Sequence, residues 1–238
     1  DVVNDEYALV VQNGVRINRE LNIDGKDRVD HLSIQAFHEV LANKLLTTDD
    51  DKQIPVSKMW MKHKNRRQYD GIIFRPNYTN SRLYNVWRGF DVSPPGAVKA
   101  KGQKALDYFL EHIELNVCGG DVQLTRWFLA FFAQMIQFPE RKPRVALALR
   151  GKKGVGKNVI TECIGKLLGS HYLLAANRRY LSGNFNSHLE NKILLVLDEA
   201  YWSGDKATEG ILKDLITGST QIIERKGHES YSVENLIR

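Results

Sequence analysis

"RGKKGVGKN", Arg150 to Asn158, is the stretch on which the reading of this chain turns. Gly151, Gly156 and Lys157 satisfy the spacing G-x-x-x-x-G-K of a phosphate-binding loop, in which main-chain N–H groups and one lysine cradle a polyphosphate. The next position, where that pattern uses a Ser or Thr hydroxyl for magnesium, holds Asn158. An asparagine amide oxygen is a hard neutral donor that magnesium accepts, and the grip on phosphate comes from the backbone and Lys157, so the loop stays workable. The candidate nucleotide contacts are Gly151, Lys152, Lys153, Gly154, Val155, Gly156, Lys157 and Asn158.

The flanks give the loop its context. "RVALAL", residues 144–149, has the unbroken apolar character of a strand buried on both faces, and "KNVITECIGKLLG" after the loop has helical spacing. That order aims a helix N-terminus at the phosphate. Forty residues on, "KILLVLDEA" reads as a second buried strand, Ile193 to Leu197, with Asp198 and Glu199 at its carboxyl end. Ligand crevices of open α/β sheets lie at the carboxyl ends of the strands. Asp198 is thus placed to hold hydrated magnesium together with Asn158, and Glu199 to orient an attacking water. The other reading of the acidic pair is a solvated strand end or helix cap. Thr161, one turn past the loop, packs or bonds its own helix.

Charge is distributed unevenly. The total of +6 splits into −5 over residues 1–57, +9 over 58–104 and +2 over 105–238. "KMWMKHKNRRQY" and "RLYNVWRGF" interleave aromatics with the central basic residues, a composition that tracks a nucleic-acid backbone and stacks bases. Lys62, Lys64, Arg66 and Arg67 are the candidate DNA contacts there, against the alternative of a solvated face balancing the acidic N-terminal third. The longest apolar run, "WFLAFFAQMIQF", is 12 residues and too short to cross a bilayer. "DVVNDEYALV" lacks the basic lead and cleavage site of a signal peptide. Cys118 and Cys163 match no zinc spacing and read as reduced thiols, which fits a reducing cytoplasm.

Three segments follow. Residues 1–96 form an α+β N-terminal or connector region that contacts DNA. It holds a hairpin around Asn13-Gly14, a helix capped by Ser33, a loop "TTDDDKQIP", a basic helix near 58–67, β segments "GIIF" and "LYNVWRGF", and a boundary at Pro94-Pro95-Gly96. Residues 97–142 carry two amphipathic helices, the second capped by Asp121 and ending before Pro139. Residues 143–238 are the P-loop core, in which a helix ends at Gly218 and "TQIIERK" and "SYSV" form a hairpin with Lys226 and His228 at its tip.

"GKKGVGKN", "LLVLDEA", "LKDLITGST" and "IERKGHE", in that order, resemble the superfamily 3 helicases of viruses and plasmids, and the branch of multifunctional phage primase-polymerase-helicases above all. "YNVWRGF" and "FFAQMIQFPERKP" look like the stretch joining primase to motor in those proteins, so the likeness covers roughly residues 70–237. The resemblance implies an α/β fold, an AAA+-like parallel sheet flanked by helices. It implies ATP and Mg2+ as cofactors, a homo-hexamer, 3′ to 5′ travel on single-stranded DNA at a replication fork, and a primase-polymerase module in the same protein. It also implies a hairpin gripping DNA through Lys226, with His228 displaced from the family's position by Gly227. The family's sensor asparagine and arginine finger lie on and after the strand that follows "ENLIR", so the expected core is C-terminally incomplete and hydrolyses ATP slowly as it stands. Two other readings remain: a DNA-binding connector or loading module with an inert ATPase half, and a small-molecule kinase using "NRRYLSGNFN" as a lid.

Overall fold

In the computed structural model, the first sheet starts as an antiparallel ladder whose first strand is a continuous apolar run, buried from Tyr7 to Val10. The structure describes every residue except Asp1, Asp24, Gly25, Pro94, Pro95, Ala97, Val98, Lys153, Arg178, Asn184, residues 199–205 and His228. Expectations on Lys153, Glu199, His228 and the Pro94-Pro95 boundary therefore lie outside the described residues.

A short helix α1 (Val2–Glu6) leads into β1 (Tyr7–Val11) and β2 (Val15–Ile23). Their turn uses Asn13 at φ 47° and Gly14 at φ 115°, the pair of positive φ values that a tight hairpin demands. β3 (Lys26–Leu32) extends the ladder, with Ile23 opposite Lys26. Ser33 caps α2 (Ile34–Val40) by accepting from the Ala36 N–H. "TTDDDKQIP" differs from the expected plain loop. It is the turn and second strand of a hairpin, β4 (Leu45–Thr47) and β5 (Gln53–Pro55), closed by Thr48 N–H to Lys52 O at 2.9 Å. Three acidic residues in a row set the turn, and their charge stays in solvent.

α3 (Val56–Lys62) follows, then β6 (Gln68–Tyr69), which adds to β1 in parallel to give the order β3-β2-β1-β6. β7 (Ile72–Ile73) and β8 (Tyr84–Asn85) form a separate parallel pair. The core under the sheet is aromatic: Phe37 lies 5.2 Å from Tyr7 and 5.1 Å from Trp60 between ring centroids. Trp60 satisfies its indole N–H on Asn4 Oδ1 at 2.8 Å, as a buried indole must.

The second half begins with α4 (Ala100–Glu111), a π-helical turn (His112–Val117) and α5 (Val122–Gln137). Asp121 caps α5 through the Gln123 and Leu124 N–H groups, at 2.8 and 3.0 Å. After the glycine loop come α6 (Lys157–Leu168), β9 (Tyr172–Ala175), α7 (Arg179–Ser182), β10 (Leu194–Leu197) and α8 (Lys206–Thr217). β11 (Thr220–Ile223) and β12 (Tyr231–Glu234) close the chain as an antiparallel pair.

These elements sort into two compact units. One comprises residues 1–88, 184–191 and 220–234; the other comprises 89–183, 192–219 and 235–238. The units are discontinuous along the chain, unlike the contiguous segments expected from the sequence. The last hairpin and the stretch before β10 belong with the N-terminal sheet.

The result is a mixed α/β chain of helices and several small sheets. β9 and β10 run parallel, and the Arg238 backbone docks on the other edge of β10, accepting from Leu195 N–H at 3.1 Å and donating to Ile193 O at 2.8 Å. The expected strand 144–149 is not formed, and among the described residues no backbone hydrogen bond joins it to another segment. An apolar run becomes a strand only when neighbours accept its N–H and C=O groups. Here Ala146, Leu147 and Leu149 face Leu194–Leu197 across a cavity instead of a ladder.

Helix ends in this unit are closed by buried side chains. Asn235 Nδ2 donates to Leu215 O and Gly218 O, each at 3.1 Å, at the end of α8. Lys142 Nζ bonds the same two carbonyls, and burial, with Arg238 and Arg144 nearby, brings its pKa down to about 8. The Arg238 guanidinium donates to Phe138 O, Pro139 O and Arg141 O just past the end of α5. Cations at a helix C-terminus complement the macrodipole and satisfy orphan carbonyls.

Glu20 organises the polar side of the first sheet. Its carboxylate accepts from Arg67 Nη2 at 2.8 Å and Tyr84 Oη at 2.9 Å, with Arg88 Nη2 at 3.4 Å. Burial pushes this carboxyl up, but the bond from Arg67, the Arg88 charge and the Tyr84 hydroxyl outweigh burial and hold it below the ordinary value. A depressed folded pKa contributes stability that is complete above the unfolded value and is lost as pH falls through the folded one. Glu20→Gln is expected to cost about 1–3 kcal/mol at neutral pH, and to remove part of the acid-induced loss of stability below the normal carboxylate range. Denaturant melts of both proteins across pH 3–7 check this.

Candidate functional site

The glycine loop acquires its shape from backbone conformation. Gly154 and Gly156 both sit at φ +84°, and Gly156 is the left-handed cap from which α6 starts. L side chains avoid that region, so glycine there leaves the first amides of α6 open and close to whatever approaches. Lys157 Nζ folds back onto the loop, donating to Gly151 O at 3.0 Å and Lys152 O at 2.9 Å. Gly151, Lys152, Gly154, Val155 and Asn158 are exposed. Thr161 Oγ1 donates to Asn158 O at 3.0 Å, bonding its own helix.

A cavity of about 260 Å³ joins the two halves of the expected site. Lys157, Asn158 and Thr161 line it from α6, and Asp198 lines it from the carboxyl end of β10. The Asp198 N–H reaches Ala175 O at 3.4 Å, which carries the β9–β10 pairing to the last residue before the carboxylate. The rest of the wall is mostly apolar, from Phe131, Phe132, Ala146, Leu147, Leu149 and Leu194–Leu197, with Arg238 also lining it. Lysine ammonium, amide oxygen and carboxylate around one space form a set that fits a polyphosphate with a hard divalent cation, the lysine meeting oxyanions and the two oxygens meeting the metal. Among the described residues no cluster of three His, Cys, Asp or Glu stands ready to bind a metal by itself. Cys118 and Cys163 are free thiols. Among the described residues no helix is long and apolar enough to cross a membrane.

The central basic residues divide into two kinds. Lys62 and Lys64 are exposed at the end of α3. Arg67 is engaged inside its own unit, by Glu20 and by Asn4 O at 2.9 Å, and Arg66 bonds Gln68 Oε1 at 2.7 Å and the Met61 carbonyl. Sequence could not separate the two kinds, because Glu20 and Asn4 meet these arginines only through the fold.

Lys226 is exposed on the turn between β11 and β12, next to Gly227 at φ +76°. The base of this hairpin is held by residues that no motif singled out. Glu190 accepts from Arg225 Nη2 at one strand end and from Tyr231 Oη at the other. Burial, and then the Glu190 carboxylate, push the Tyr231 phenol up to about 12. Asn186 bonds the β11 side like an added strand: its Oδ1 accepts from Glu224 N–H at 2.7 Å and its Nδ2 donates to Ile222 O at 2.8 Å. Arg16 stacks over the Tyr231 ring at 4.9 Å, and Asn13 Nδ2 donates to Ser230 O at 2.7 Å. Only Asn13 had a sequence signal, as a turn residue.

Residues 149–238 match a family model described as a family of unknown function (DUF5906). The chain is 27% identical over 145 residues to a DNA primase-polymerase of Nitratiruptor phage NrS-1, an alignment covering 60% of this chain and 20% of that protein. Its fold is similar to the apo structure of the NrS-1 C-terminal region (305–718), with TM-score 0.71, 18% identity, and coverage of 99% of this chain and 54% of that one. A second apo form of that region gives TM-score 0.68 at 19% identity. The chain thus spans about half the length of the solved relatives and a fifth of the primase-polymerase.

Truncating Glu190 to alanine leaves the Arg225 guanidinium, whose side chain is 14% exposed, without its carboxylate. The expected loss is about 3 kcal/mol in chemical denaturation, with faster proteolytic cleavage in the 225–230 turn than in the unaltered protein.

Proposed function

We propose that this chain is part of a phage-type DNA replication protein and carries its ATP-hydrolysing motor, which travels on single-stranded DNA. The observation that supports the reading is the cavity shared by Lys157, Asn158 and Asp198. Similarity to the NrS-1 primase-polymerase supports the replication context.

In this reading the polyphosphate lies along the loop from Gly151 to Asn158, and the amides of the first turn of α6 donate to its oxygens. Lys157 exchanges its two carbonyl partners, Gly151 and Lys152, for phosphate oxygens, trading neutral acceptors for charged ones. Asn158 and Asp198 would hold a magnesium ion, which would supply charge neutralisation on the phosphates. Glu199, next along the chain, orients the water. Subunits form a hexameric ring, and Lys226 on its clamped hairpin follows the phosphates of one strand.

The alternative, a DNA-binding connector with an inert nucleotide half, separates from the motor by turnover. Lys157→Ala is expected to lower ATP affinity at least tenfold and abolish hydrolysis by the full-length protein, while Asn158→Thr keeps both. ATP hydrolysis that persists in Lys157→Ala removes the loop from the mechanism. DNA binding without any turnover by the full-length protein favours the connector. Neutralising Lys62 and Lys64 together is expected to reduce the slope of log affinity against log salt by about 1.4 for single-stranded DNA, as measured by fluorescence anisotropy. An unchanged slope makes that face a solvated one.

A further inference from the structure

The glycine loop has a neighbour that the phosphate-binding pattern does not contain. His112 opens the π-helical turn between α4 and α5, about forty residues before the loop. A Cβ placed on Gly156 would lie 2.9 Å from both Cε1 and Nε2 of the His112 ring. The imidazole edge therefore rests against the glycine that starts α6, at the point where the helix amides are open. π-Helical turns shift the register of side chains and recur at functional sites, and this one turns the ring to the loop.

The ring's other nitrogen decides its chemistry. His112 Nδ1 lies 3.2 Å from Asn116 Nδ2. In the tautomer in which Nδ1 accepts from this amide NH2, the ring proton sits on Nε2. That Nε2 atom is buried and has no hydrogen-bond partner among the described residues. A buried N–H aimed at nothing is costly, and an acceptor beside Gly156 relieves it.

We propose that the Nε2–H of His112 donates to a phosphate oxygen of the polyphosphate bound in the glycine loop. The proposal rests on the nucleotide reading of that loop and adds to it a ligand contact from the helical segment. The free amides at the start of α6, the Lys157 ammonium and the His112 N–H are donors, and an oxyanion is the ligand that uses them together, in competition with the Gly151 and Lys152 carbonyls that Lys157 bonds in this structure.

The test uses equilibrium binding of ATP and of inorganic tripolyphosphate to the full-length protein. His112→Phe keeps the ring against Gly156 and removes the N–H; His112→Ala removes both; His112→Gln restores an N–H donor. Phe and Ala are each expected to weaken both probes about tenfold, with Gln within about threefold of the unaltered protein and thermal midpoints unchanged for Phe and Gln. Full binding by His112→Phe, with loss in His112→Ala alone, overturns the proposal in favour of simple packing. Loss for ATP but not tripolyphosphate overturns it in favour of a base or sugar contact. If Lys157→Ala abolishes binding while all three His112 variants bind normally, this proposal fails and the loop reading stands. Absence of polyphosphate binding by the unaltered protein overturns both.

Discussion

The open N-terminus of α6 is the constraint on which the candidate site depends. The first amides of any α-helix have no intrahelical acceptor, and a capping side chain usually supplies one. Here the cap is Gly156, left-handed and without a side chain; its carbonyl takes the Val159 N–H at 3.1 Å, and no side chain caps the amides before it. The helix is left with oriented donors, a lysine bent onto its own loop and a cavity ending at a carboxylate. In the proposed reading an anion completes this arrangement, since aligned dipoles and an ammonium both favour negative charge.

Away from the loop, buried polar groups join segments that are distant in sequence. Arg238 closes the end of α5 from about one hundred residues away, and Asn235 with Lys142 closes α8. Glu20 gathers Arg67, Tyr84 and Arg88, and Glu190 ties both strands of the last hairpin. Each case follows one rule: a buried charge or carbonyl requires a partner, and only certain pairings of segments bring the partner within reach. Apolar burial drives these segments together, while the polar partners select which segments meet. The stretch 184–191 illustrates the point, since it leaves the unit containing β9 and β10 to hydrogen-bond the hairpin that carries Lys226.

Local chemistry made much of the secondary structure legible. Asn13-Gly14 announced a hairpin, Ser33 and Asp121 announced helix starts, and "TQIIERK" with "SYSV" announced the last ladder, because each signal acts over a few residues. Residues 144–149 show the limit. Their apolar run carries strand propensity, yet a strand is a relation between two segments, and the run faces β10 across a cavity instead of pairing with it. The small parallel pairs β1–β6 and β7–β8 had no visible signal for the same reason.

The candidate site divides the same way. By itself the sequence determined the loop's glycines, its lysine and the acid at the end of β10, since these depend on residue type and spacing along one element. It also determined which residues carry charge. Only the tertiary structure decided which charges are available: Lys62, Lys64 and Lys226 are exposed, whereas Arg67 is held by Glu20 and Asn4. Only the tertiary structure brought Asp198 to the cavity of Lys157 and set His112 against Gly156. The physical reason is range: backbone preference and capping act within a turn, while burial and hydrogen-bond partnership depend on parts of the chain that meet only after it folds.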